Sequence, residues 1–152
     1  MYLTVLTAHS WLRWVALLAG VYATVTLLTE SGGVQARGRA ATLGLVCMIA
    51  LDLQLVLGLL LYSGLSPTLR AVSGDFGAAM RDPVARFWAV EHLVLMLAAV
   101  VIAHVGRVLA RKAATDSSRR NRLLVCFGLA TILMLLGIPW PGMHGGRPLF
   151  RI

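Results

Sequence analysis

Asp82–Arg107 reads DPVARFWAVEHLVLMLAAVVIAHVGR. Asp82 and Pro83 are an N-cap and a first-turn proline, and the residues from Val84 to Gly106 are apolar with few interruptions. A helix needs on the order of 20 such residues to cross a hydrocarbon core. The interruptions carry the meaning. Glu91 and His92 stand side by side well inside the run, and His104 follows about 18 Å further along a helix rising about 1.5 Å per residue. An ionisable side chain is costly inside a membrane, so by default it faces protein and has a task.

Working outward, apolar runs also occupy Thr4–Thr29, Ala40–Ser63 and Leu123–Ile138, which makes four spans in all. Ser31-Gly32-Gly33, Gly64 with Pro67, and Pro139 supply the breaks between and after them. The expected fold is an all-α, integral membrane, up-down-up-down four-helix bundle. It forms one domain over residues 1–152, with 139–152 as a tail that caps the bundle or docks on a neighbouring subunit. The connection from Leu65 to Arg81 is expected as a short surface helix or an ordered loop.

Composition agrees with a bilayer. Hydrophobic residues make up 59% of the 152 and charged ones 13%, with mean hydropathy +0.81, outside the range of soluble domains. A net charge of +8 would suggest nucleic acid in a soluble protein, but these cations gather between the apolar runs, where they act as topology signals and meet lipid headgroups. Arg37, Arg39, Arg107, Arg111, Lys112, Arg119, Arg120 and Arg122 lie on one side; Arg70, Arg81, Arg86, Arg147 and Arg151 lie on the other. The richer side is expected in the cytoplasm. Both termini then face outward, in a bacterial inner membrane. The first run lacks a basic leader and is expected to stay attached. Cys47 and Cys126 fall inside spans and read as small apolar fillers.

His9 and His92 are expected at one level, about 8 Å and 12 Å down from the outer ends of the first and third helices. In an up-down-up-down bundle those helices run parallel and stand diagonally, so inward imidazoles would meet from opposite sides. That points to one haem b with two axial histidines, and such a site favours electron transfer because no coordination position stays open. The absence of CxxCH excludes ordinary covalent attachment. Around the pair, Trp14 and Trp88 would line the slot, and Arg13, Arg86 and Arg147 are candidate cations for the propionates, with Glu91 beside them. The plainer alternative for His9 and His92 is hydrogen bonding between helices, and for Trp88 a place in the interfacial belt.

Arg13 and Asp52 are at similar depth and are expected to pair, with Glu91 competing for Arg13. Asp52 and Gln54 are the candidates for a proton path or a quinone headgroup. His104 is too far along its helix to share the iron of His92. It is either a packing residue or the ligand of a second haem or a chlorophyll-type pigment.

The strings His9-Ser10-x-Leu12-Arg13-Trp14, Gln54-Leu55-x-x-Gly58-Leu59-x-Leu61-Tyr62, Arg86-Phe87-x-x-Val90-Glu91-His92 and Ile138-Pro139-Trp140 resemble a family of bacterial four-helix membrane proteins described as cytochrome b-like. The resemblance covers nearly the whole chain and implies a haem-binding or electron-transfer role. It departs at Asp52, where such proteins often carry histidine. The expected role is an electron-transfer subunit or relay more than a free-standing enzyme, with membrane lipids, other membrane subunits and a quinone as partners and no nucleic acid. The alternative is a structural or pigment-binding subunit of a larger respiratory or photosynthetic complex.

Overall fold

The computed structural model describes residues 1–29 and 34–150, side chains of 34–37 excepted. The Ser31-Gly32-Gly33 break, the Arg37 side chain and Arg151 lie outside the described residues. Helix α1 (Tyr2–Thr29) and α2 (Val34–Leu60) come first, and a π turn at Leu61–Leu65 closes the second span. Two short helices, α3 (Pro67–Gly74) and α4 (Phe76–Arg81), occupy the connection that was expected as helix or loop. The third span begins as α5 (Pro83–Arg86), passes through a π turn at Phe87–Glu91 and continues as α6 (His92–Arg111). Helix α7 (Asp116–Gly137) is the fourth.

The spans at Tyr2–Thr29, Gly38–Leu65, Pro83–Arg111 and Asp116–Gly137 are long and apolar enough to cross a membrane. The protein is an all-α four-helix membrane bundle. The helices outrun the apolar stretches at the end bearing Arg107–Arg122, because helical hydrogen bonding continues where the side chains turn polar. The boundaries follow from capping. Asp82 accepts from the Ala85 amide at 2.6 Å ahead of Pro83, and Thr115 accepts from the Ser118 amide at 3.1 Å to start α7.

Helix α1 packs against α2 and α7, and α6 packs against α7 and more thinly against α2. Spans one and three are therefore diagonal. The core is rich in small residues, among them Ala16, Ala19, Cys47, Ala99, Ala103 and Ala130, set among Leu17, Leu51, Val100, Met134 and Ile138, with Phe127 as its buried ring. Close approach replaces bulk as the source of cohesion, as expected where lipid competes for apolar surface. Gly106 shows the limit, since a Cβ there would run into the Cβ of Cys126 on α7. Both cysteines are free, and Cys47 is fully buried.

Candidate functional site

A cleft opens between the spans at the end that carries the N-terminus. Its walls include Leu6, His9, Arg13, Gln54, Gly58, Tyr62, Trp88, His92 and Met96, and its floor is built from Leu17, Leu51, Val100 and Met134. Out to its open mouth the cleft holds about 1350 Å³ of empty space. It is mostly apolar, with a few polar groups converging on it.

His9 on α1 and His92 at the start of α6 face each other across this space, ring centroids 6.3 Å apart and planes inclined by 69°. Imidazole nitrogens bind metals at about 2.0–2.1 Å, so two rings ligating one metal from opposite sides would have centroids about 6 Å apart. The backing of His92 is equally specific. Its Nδ1 lies 2.7 Å from the carbonyl oxygen of Gly137, which can only accept, so Nδ1 carries the proton and a neutral ring keeps its Nε2 lone pair. Gly137 ends α7 two residues before Pro139, a helix end where carbonyls lack intrahelical donors. The π turn at Phe87–Glu91 immediately precedes His92 and packs Phe87 and Trp88 around its ring, at 6.0 and 5.5 Å between centroids. The Tyr62 hydroxyl donates to the Ala89 carbonyl inside that turn at 3.0 Å, tying span two to span three.

His9 approaches α2 where Gly58 leaves room; a Cβ there would stand 3.3 Å from its Cε1. Its Nδ1, the Nε of Arg13 and the Oε1 of Gln54 are the buried side-chain polar atoms without a hydrogen-bond partner among the described residues. All three residues line the one cleft. Buried polar atoms are rarely left unpaired, and water or the polar groups of a ligand in the cleft can pair these three.

The tail supplies a lid. Its Leu149 carbonyl accepts from Nη2 of Arg13 at 2.7 Å and from Nε1 of Trp14 at 3.1 Å, and Phe150 stacks on Trp14 at 5.5 Å. The Arg147 guanidinium sits 5.0 Å over the Trp88 ring and lines the cleft, placing a second cation beside Arg13.

The remaining expected site residues divide. His9, His92, Arg13, Trp88 and Gln54 line the cleft. Trp14 turns away to the tail, at 6.2 Å from Trp140 as well as stacked on Phe150. Arg86 and Glu91 pair with each other at 2.8 Å outside the cleft, since the π turn shifts their phase relative to His92. The expected Arg13–Asp52 pair does not form. Asp52 faces His104 at 3.5 Å, and two residues along a helix turn Gln54 to a different side, so Asp52 and Gln54 do not share a site. His104 gives its Nδ1 to the Val100 carbonyl at 2.9 Å and stands apart from the cleft, with no second imidazole opposite.

Comparison of the chain with protein-family models, with curated proteins and with solved structures finds no match. The chemistry of the site therefore stands on its own geometry. Among the described residues no three His, Cys, Asp or Glu side chains gather closely enough to hold a bare metal ion. Two imidazoles 6.3 Å apart could hold the metal of a macrocycle, and the cleft's apolar walls and its two arginines fit such a group.

Proposed function

We propose that this chain is a b-type haem protein of the bacterial inner membrane that relays electrons, with His9 and His92 as axial ligands. The observation that carries the proposal is the pair of rings 6.3 Å apart across one cleft, one of them locked by the Gly137 carbonyl with Nε2 left as a base. Haem held there by the His9 and His92 imidazoles would supply a reversible one-electron iron couple.

The chain's own residues would do the rest. Gly58 admits the His9 ring, and Phe87 with Trp88 fixes the orientation of His92. Arg13 and Arg147 offer charge-assisted donors to carboxylates of the macrocycle, which would also satisfy the unpaired Nε of Arg13. The Leu149 carbonyl holds Arg13 in place meanwhile. Gln54 offers an amide at the wall for a hydrogen bond to the same ligand. The cation balance supports an outward-facing cleft, where a membrane quinone and a neighbouring subunit would be the exchange partners of a relay.

The test is an optical spectrum of the purified protein, loaded with haemin if it is isolated empty. A Soret band with a reducible α band is expected, lost in His9→Ala and in His92→Ala and kept in His104→Ala. Wild-type protein that binds no haem, or a spectrum that survives both cleft substitutions, overturns the proposal.

A further inference from the structure

The end of the bundle opposite the cleft carries a second, shallow hollow, bordered by Ala40, Ala41 and Gly44 of α2, Arg107 and Arg111 of α6, and Arg119 with Phe127 of α7. It is open to the outside, with about 370 Å³ of space counted out to its mouth. Ala40, Ala41, Gly44 and Ala110 leave it room, and the Phe127 ring lies 3.1 Å from where a Gly44 Cβ would be.

The arginines nearby fall into two groups. Arg120 donates to the Leu27 carbonyl at 2.7 Å and to the Leu28 carbonyl at 3.1 Å, and so caps the end of α1; Arg122 donates to the Leu109 carbonyl at 2.7 Å. Cations placed so complete helix ends. Arg107, Arg111 and Arg119 instead border the hollow, and none of them hydrogen-bonds or pairs with another described side chain or carbonyl. Topology alone would be served by cations anywhere in these connections. It does not require three of them, from two helices, around one empty pocket.

We propose that this hollow seats the phosphodiester of an anionic phospholipid, held by Arg107, Arg111 and Arg119. Guanidinium groups grip phosphate in paired hydrogen bonds, and a basic pocket between spans at the membrane surface is suited to a lipid headgroup. The source is a lipid because the three arginines stand at one end of membrane-spanning helices whose outer faces are apolar, with Leu45 on α2 and Val108 on α6 exposed.

The experiment is thermal unfolding of the full chain in a neutral detergent with phosphatidylglycerol, phosphatidylcholine or inorganic phosphate added. Phosphatidylglycerol is expected to raise the midpoint by about 3–6 °C more than phosphatidylcholine, a shift set by binding to the folded state alone. Arg111→Gln with Arg119→Gln should remove most of that difference. Ala41→Phe, which fills the hollow and keeps every charge, should remove it too. Equal effects of the two lipids, an undiminished preference in Ala41→Phe, or inorganic phosphate reproducing the whole shift would each overturn the lipid site.

Discussion

Asp52 on α2 and His104 on α6 form an acid–imidazole pair, Oδ1 to Nε2 at 3.5 Å, within the apolar length of two spans. Because Nδ1 of His104 donates to the Val100 carbonyl, its Nε2 is bare in the neutral ring. A carboxylate and a bare nitrogen are both acceptors, so the contact is favourable only with one proton held between them. Both side chains are about half exposed, 51% and 43%, among lipid-facing Leu53, Val101 and Val105. Removing His104 takes away the partner of the Asp52 carboxyl, and removing Asp52 leaves His104 with its Val100 bond but nothing for Nε2. His104→Leu and Asp52→Leu are each expected to lower the unfolding midpoint in detergent, and the double variant to be less destabilised than the sum. The expected coupling is about 0.5–1.5 kcal/mol. Strictly additive losses would show that the two side chains do not cooperate.

The room made by Gly58 gives a test of ligand placement that leaves both histidines in place. An alanine there puts its methyl 3.3 Å from Cε1 of His9, tight enough to push the ring by a few tenths of an ångström; valine pushes further. Haem retention per protein is expected to fall in the order glycine, alanine, valine, with helix content unchanged by circular dichroism. Retention indifferent to this series would mean that His9 does not ligate from this position.

Much of this was legible in the chain. Span length follows from apolar run length, and the shared level of His9 and His92 follows from a fixed rise per residue. Rotation about each helix axis was harder. A two-residue step separates Asp52 from Gln54 by about 200° at 3.6 residues per turn, enough to split a site that their proximity in sequence suggested. The π turn at Phe87–Glu91 adds a phase shift that no periodicity count contains, and it pairs Arg86 with Glu91 outside the cleft. Arg13 was expected to find a carboxylate and found a main-chain carbonyl instead. That partner, Leu149, lies 136 residues away in a tail without regular structure, where pattern carries no information.

The tail is held by few but specific contacts. Phe150 lies against both Trp11 and Trp14, at 5.6 and 5.5 Å between ring centroids. Phe150→Ala removes both aromatic pairs, each worth about 0.5–1.5 kcal/mol beyond area. Limited proteolysis should then cut the tail after Pro139 severalfold faster, while the spans stay protected. Unchanged cleavage would mean that the hydrogen bonds from Arg13 and Trp14 to Leu149 are sufficient to hold it.

The close approach of α6 and α7 makes a prediction with its own control. A Cβ at Gly106 would collide with the Cβ of Cys126, and the Cys126 backbone lies just behind at 3.8 Å, so the helices must part to admit even a methyl. Overpacking of this kind costs about 1–3 kcal/mol. Gly106→Ala is expected to lower the unfolding midpoint, and Gly106→Leu to prevent accumulation of folded protein. If the cause is that one contact, Cys126→Gly in the Gly106→Ala background should recover part of the loss, although glycine in a helix interior is itself unfavourable by about 1 kcal/mol. Cys126→Gly alone should destabilise. A rescue in the double variant against a loss in each single one is a sign reversal that helix propensity cannot produce, and it would locate the effect at the α6–α7 contact.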